Sequence, residues 1–284
     1  MDYREKFRVR QGEKLRLGKV DPAFTGKHES EEAAKQETER CRERLGRQQS
    51  LLYAEHKHSV LVVLQAMDAG GKDGTIKHVF GPLNPQGVSV ASFKQPSVAE
   101  LAHDFLWRVH PHAPGRGEIV IFNRSHYESV LVERVHKLID KATWTDRYRR
   151  INDFEALLVE NRTTVLKFFL HISKQEQLVR FAQRLDDPAR NWKISESDYT
   201  ERGFWDDYMK AFEDAIRATS TPDAPWYVIP ADQKWFRNLA VSQIMADTMA
   251  DLGLAYPPPT VNLADIKRRY HAAVRQEKDG GRKT

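Results

Sequence analysis

HSVLVVLQAMDAGGKDGTIKHVF, residues 58–80, joins a continuous apolar run to a helical pattern through two adjacent glycines. An unbroken apolar run of this length is the mark of a strand buried on both faces of a parallel sheet. A glycine-rich turn between such a strand and a helix leaves backbone N–H groups pointing inward, and the helix start adds the positive end of its dipole. The segment is therefore built to hold a phosphate. Gly70 and Gly71 permit the tight curve, Lys72 places a cation beside the bound oxygens, and the amides of Ala69, Gly70, Gly71, Lys72, Asp73, Gly74 and Thr75 supply the cradle. The match to GxxxxGK[ST] is incomplete. Ala66 stands at the first glycine position, Asp73 stands where Ser or Thr usually meets a metal, and Asp68 puts a carboxylate inside the loop.

Similar short apolar runs follow at 87–93, 118–123, 163–172 and 226–230. Helical patterns lie at 72–80, 97–109, 125–138, 145–161, 173–185, 203–218 and 235–253. Strands alternating with helices predict an α/β fold, a five-stranded parallel sheet sandwiched by helices. The expected organisation is an N-terminal arm and helix over 1–57, a phosphate-loop domain over 58–256 and a basic tail over 257–284. Within the arm, residues 1–27 have no clear period and read as extended. The tail reads as a short helix, NLADIKRRYHAAVRQ, followed by a flexible KDGGRKT.

The run EIVIFNRSHYE, 118–128, switches from apolar to polar at Asn123. Ligands collect at the carboxyl ends of parallel strands, so Asn123 and Arg124 are expected to face the loop. A carboxylate would ordinarily end this strand to hold Mg²⁺, and Asp68 or Glu128 is the candidate substitute. Arg124 is the residue type that grips phosphate through two parallel hydrogen bonds. His126 and Tyr127 read as packing residues, as do Trp205, Tyr208 and Phe212 at helical spacing. Residues 186–202, with Pro188 and mixed charge, break the rhythm and predict a mobile lid at about 180–205. Arg180 and Arg184 share a helix face there, and Arg184, at the loop edge, is the stronger candidate for closing on phosphate.

The composition is that of a globular chain: 40% hydrophobic and 30% charged over 284 residues. The charged N-terminus contains no apolar segment of the signal-peptide kind. A single cysteine, Cys41, excludes an intrachain disulfide, and the expected location is the cytoplasm with no membrane partner. The net charge of +5 resides in the two ends. Residues 1–20 carry +4 and residues 267–284 carry +5, leaving the body at about −4, so any polyanion site must be a local cluster. No RNA-recognition or helix-turn-helix pattern is present, which argues against a nucleic-acid partner.

Taken together, QAMDAGGKDGTIKH, FKQPS (93–97), HDFLWRVH (103–110), FNRSHYESVLVERVH (122–136), NWKISESDYTERGFWDDYM (191–209) and IPADQKWFRNLAV (229–241) resemble the family-2 polyphosphate kinases. The resemblance implies a P-loop kinase fold with a helical lid, and phosphoryl transfer between inorganic polyphosphate and purine nucleotides. It further implies dependence on Mg²⁺ or Mn²⁺ and assembly as a homo-oligomer, a dimer or tetramer. By it, Asp68 places metal and acceptor, Lys72 is the loop lysine, Arg124 meets the transferred phosphoryl group, and Arg184 is the lid arginine. Lys77, Lys94, Arg108 and Arg134 are implied to line the phosphate channel. The pair Asn123 and Glu128 is similar to the third class, whose members phosphorylate both nucleoside monophosphates and diphosphates. An ATP-dependent P-loop kinase of nucleotides or small molecules is the nearest other reading of the same residues.

Overall fold

In a computed structural model, which describes residues 1–280, every residue from Ser59 to Ala66 is buried. That run is β2, the strand next to which the rest of the sheet is laid. Before it come α1 (Tyr3–Phe7), β1 (Arg8–Val9) and α2 (Glu31–Glu55). After it, α3 (Lys72–Thr75) continues as a π-helical turn, Ile76–Phe80, followed by β3 (Val88–Ser92), α4 (Val98–Leu101) and β4 (Ile119–Asn123). The chain then forms α5 (Glu128–Val135), α6 (Lys141–Glu160), β5 (Thr163–His171), α7 (Lys174–Asp186), α8 (Glu196–Gly203) and α9 (Trp205–Thr219). It closes with β6 (Trp226–Pro230), α10 (Lys234–Ala250) and α11 (Leu263–Gly280).

The sheet has six strands in the order β1-β6-β5-β2-β4-β3, not the five expected. Strands β2 to β6 are parallel, and all five coincide with the apolar runs. The added strand, β1, pairs antiparallel with β6 through Arg8–Tyr227 and Val9–Trp226. Two residues are too few to show a period of two, so the tertiary partner alone defines it. With helices on both faces and the glycine turn following the central β2, this is a P-loop kinase fold.

Four further segments differ from expectation. Residues 1–27 do not trail away: Tyr3, Phe7, Val9 and Leu17 are buried, and the rings of Tyr3, Phe7 and Phe24 all pack on Phe236 of α10. The pattern at 97–109 yields only one turn of helix. It is capped by a Ser97–Glu100 box, ends at Leu101, and is followed by a turn in which the Asp104 carboxylate accepts the Leu106 N–H. The irregular stretch 186–202 contains α8, started by the Asp198 carboxylate accepting the Ser195 N–H. In the tail, α11 extends to Gly280, into the stretch expected to be flexible, of which residues 281–284 lie outside the described residues.

Beneath β4 and β5 lies a buried polar network. Lys167 Nζ pairs with Glu155 and donates to Tyr127 Oη at 3.1 Å and to the Thr219 carbonyl at 2.7 Å. Tyr127 Oη is 2.8 Å from Glu155, and His126 Nε2 is 3.2 Å from the same carboxylate. His126 and Tyr127 are thus core residues, as their positions implied, and burial pushes His126 below its ordinary pKa. The network anchors the chain three residues beyond Arg124. Removing one partner leaves the other charged and dry. Glu155→Ala should therefore cost about 3–5 kcal/mol in urea denaturation, and pairing Glu155→Leu with Lys167→Met should recover most of it. A single-variant loss below ~1 kcal/mol would contradict this.

Candidate active site

The loop between β2 and α3 is shaped by contacts that exclude side chains. A Cβ on Gly70 would lie 2.4 Å from Ala66 Cβ and 2.8 Å from the Met67 carbonyl. Gly71 has φ +103°, and a Cβ there would meet Arg237 Nη1 at 1.9 Å. Ala69 is itself left-handed at φ +60°. The Gly70 amide bonds the Met67 carbonyl, and the Thr75 amide and hydroxyl both bond the Gly71 carbonyl. Gly70 and Thr75 thus hold the turn together, while the amides of Lys72, Asp73 and Gly74 open the helix with no carbonyl of their own helix behind them.

Two elements that are distant in sequence clamp this loop. From α7, Gln177 Nε2 donates to the Asp68 carbonyl at 2.9 Å and Arg180 Nη1 donates to the Ala69 carbonyl at 2.8 Å. Arg180 also bonds the Ala231 and Asp232 carbonyls beyond β6 and the Glu176 carboxylate. From α10, the guanidinium of Arg237 packs against Gly71 and Gly74. Neither Gln177 nor Arg237 was visible as a site residue in the sequence, and Arg180 stood behind Arg184. The only signal was indirect: Gln177 and Arg180 are three apart on one helix face, and Arg237 lies within WFRNLAV.

Across the strand ends, β4 delivers Asn123 and Arg124 to the loop as expected. Asn123 Nδ2 donates to Asp73 Oδ1 at 3.0 Å, and Arg124 Nη2 is 3.3 Å from Asp68 Oδ1. Arg124 takes a left-handed turn at φ +63°, its amide tied to the Leu64 carbonyl of β2. Burial opposes its charge, but Glu128 and Asp68 outweigh that and hold the guanidinium above its ordinary pKa. Glu128 is pushed up by burial against the pull of Arg124. Lys72 is pushed down by burial and then by Arg124, with Asp68, Glu128 and Asp73 opposing, and its Nζ donates to the Ala66 carbonyl at 3.2 Å. Two cations and three carboxylates thus share one small region.

Beside them lies a cavity of about 340 Å³. It is lined by Gln65, Met67, Asp68, Arg124 and Glu128 and by the apolar Leu131, Val132, Tyr208 and Phe212. The lid segment supplies Ser197 and Glu201, and the Glu201 carboxylate accepts from Tyr208 Oη at 2.6 Å. The lid also touches the loop directly, through Lys193 Nζ at 3.6 Å from Asp73.

The remaining sequence candidates are dispersed. Arg184 donates to the Lys193 carbonyl and lies 3.8 Å from Asp198, so it braces the lid. Lys94 and Lys77 are exposed. Arg108 bonds the Lys94 carbonyl and Glu100 beside the end of β3. Arg134 does not join the loop: it pairs with Asp214 at 2.8 Å and covers the Trp144 ring, holding α5 to α6 and α9.

The left-handed backbone at Gly71 yields a stability test. Gly71→Ala should lose about 1–3 kcal/mol, the usual cost of holding a side chain in that region. Gly46→Ala, in the middle of α2 with open space around it, should gain about 0.5–1 kcal/mol. Equal shifts by thermal denaturation would contradict the strained turn.

The model of the family described as Polyphosphate kinase 2 matches residues 28–254. An AMP/ADP-polyphosphate phosphotransferase of Meiothermus ruber is 52% identical over 256 residues, covering 90% of this chain and 96% of the relative. An ADP-polyphosphate phosphotransferase of Rhodopseudomonas palustris is 48% identical over 272 residues, covering 90% and 93%. The crystal structure of polyphosphate kinase 2 from Arthrobacter aurescens TC1 superposes with a TM-score of 0.92 at 41% identity, covering 96% of this chain and 97% of that one.

Proposed function

The chain belongs to the polyphosphate kinase 2 family, and we propose from its own site how it moves a phosphoryl group between inorganic polyphosphate and AMP or ADP. The observation that carries the mechanism is the meeting of Lys72 with Arg124, Asp68 and Glu128 at the adjacent ends of β2 and β4, the last three lining the cavity. A nucleotide phosphate oxygen is already anionic, so no strong general base is required. The physical difficulty is to bring two polyanions together, and phosphoryl transfer is catalysed mainly by positioning and charge neutralisation.

In this mechanism the amides of Lys72, Asp73 and Gly74 bind one phosphate at the helix start. Lys72 leaves the Ala66 carbonyl to meet the same group. Arg124, held charged by Glu128 and Asp68, stabilises the equatorial oxygens of the phosphoryl group in transit. The half-buried Glu128 supplies the negative charge that favours Arg124 at the cavity. Closure of the segment at about 180–205, through Arg184 and Lys193, excludes the water that would otherwise intercept the phosphoryl group.

A divalent cation, Mg²⁺ or Mn²⁺, belongs to the proposal. Among the described residues no three His, Cys, Asp or Glu side chains cluster as a metal cage. A single part-exposed carboxylate, Asp68, beside the phosphate loop fits an ion that keeps several waters and takes its other ligands from substrate phosphates. Bound there, the ion would neutralise phosphate charge. A cytoplasmic homo-oligomer completes the reading, and no helix among the described residues is long and apolar enough to cross a membrane.

The test is to supply purified protein and Mg²⁺ with long-chain polyphosphate and either ADP or AMP. ATP should form in both tubes, and not when polyphosphate is withheld. No nucleotide phosphorylated in either tube would overturn the proposal. Lys72→Ala should keep the melting temperature and lower kcat about 10²-fold or more, the scale for losing one transition-state donor. Near-normal turnover would remove Lys72 from the mechanism.

A further inference from the structure

Among the described residues Arg237 is one of the largest fully buried side chains, and the mechanism above leaves its charge unused. It is 2% exposed, yet among the described residues no carboxylate pairs with it. Its Nε and Nη2 bond only the amide oxygen of Asn238, the latter at 2.8 Å. The nearest charged neighbours reinforce the problem. Arg180 lies beside it, Lys234 opens the same helix, and the acid near Lys234, Glu176, is paired with Arg180 at 2.8 Å. Asp232, next in line, caps α7 by accepting the Ser173 N–H. Burial and then Arg180 press the guanidinium down to about 9, against an ordinary value far higher. A buried charge without a partner is among the costliest features a fold can keep. Its position gives the reason for keeping it, because the guanidinium occupies the side-chain space of Gly71 and lies against Gly74, directly behind the phosphate loop.

We infer that Arg237 is a positioning and counter-charge residue whose anionic partner is the phosphate held on the far face of the loop, acting through the backbone of Gly71 to Gly74. The inference rests on the phosphate-binding reading of that loop. Arg237 does not touch the ligand. It shapes the turn by filling the space over Gly71, and it places a unit of positive charge within a poorly screened layer of protein, where it attracts phosphate more strongly than a surface lysine does. The same charge destabilises the protein on its own and is relieved by an anion, so folding and phosphate binding are linked through this one side chain.

The experiment compares wild type, Arg237→Met and Arg237→Lys by thermal melting and titration calorimetry. The probe is inorganic tripolyphosphate, against sodium chloride of equal ionic strength. Without the probe, Arg237→Met should melt at or above the wild-type temperature. It should bind tripolyphosphate roughly tenfold more weakly and lose most of the anion-induced rise in melting temperature. Arg237→Lys, which keeps the charge, should keep most of that rise. Wild-type affinity in the Met variant, or equal losses in the Met and Lys variants, would overturn the counter-charge role while leaving the loop's phosphate site intact. Absence of tripolyphosphate binding by the wild type itself would overturn the loop reading beneath it.

Discussion

Like charges converge on one loop, and the rest of the structure is arranged around that constraint. Arg124 lines the cavity and Lys72 starts the helix beside it, while Arg180 and Arg237 pack on the turn from α7 and α10. Such a group is costly unless its cations are answered, and all but Arg237 find carboxylates or backbone carbonyls nearby. Asp68 and Glu128 answer Arg124, and Glu176 with three backbone carbonyls answers Arg180. The result is a site held together by the protein's own anions until substrate phosphates enter. The glycines let this happen, since a single Cβ at Gly70 or Gly71 would push the flanking groups apart. The scaffold beneath is rigid for the same reason. The Lys167–Glu155 pair fixes the start of α5, and with it the strained turn that aims Arg124.

Most of the architecture was legible because the strands are parallel and buried on both faces. Continuous apolar runs such as 59–66 and 163–171 leave little choice of structure, and the glycine turn between β2 and α3 fixes where ligands collect. The sixth strand was not legible, because Arg8–Val9 carries no period and gains its structure from β6. The helix expected over 97–109 failed for a related reason. Asp104 ties the chain into a turn that a composition window reads as more helix.

The site divided along the same line. The residues expected at the site from adjacency to a strand end, namely Asp68, Lys72, Asn123, Arg124 and Glu128, lie together. Residues that reach the loop from other elements were missed or ranked low, because nothing local marks Gln177, Arg180 or Arg237 as facing it. The converse error was Arg134, a basic residue in a persuasive motif, which packs on Trp144 and Asp214 instead. Charge in a motif shows that a position is basic; only the packing shows what it faces.

The central claim is that this site passes a phosphoryl group directly from chain to nucleotide and keeps water out while doing so. Polyphosphate labelled with ³²P, incubated with unlabelled ADP and Mg²⁺, tests it most directly. The account predicts that label appears in the terminal phosphate of ATP, with little in free inorganic phosphate. Label accumulating in inorganic phosphate while ATP stays unlabelled would make the site a hydrolase and contradict the account.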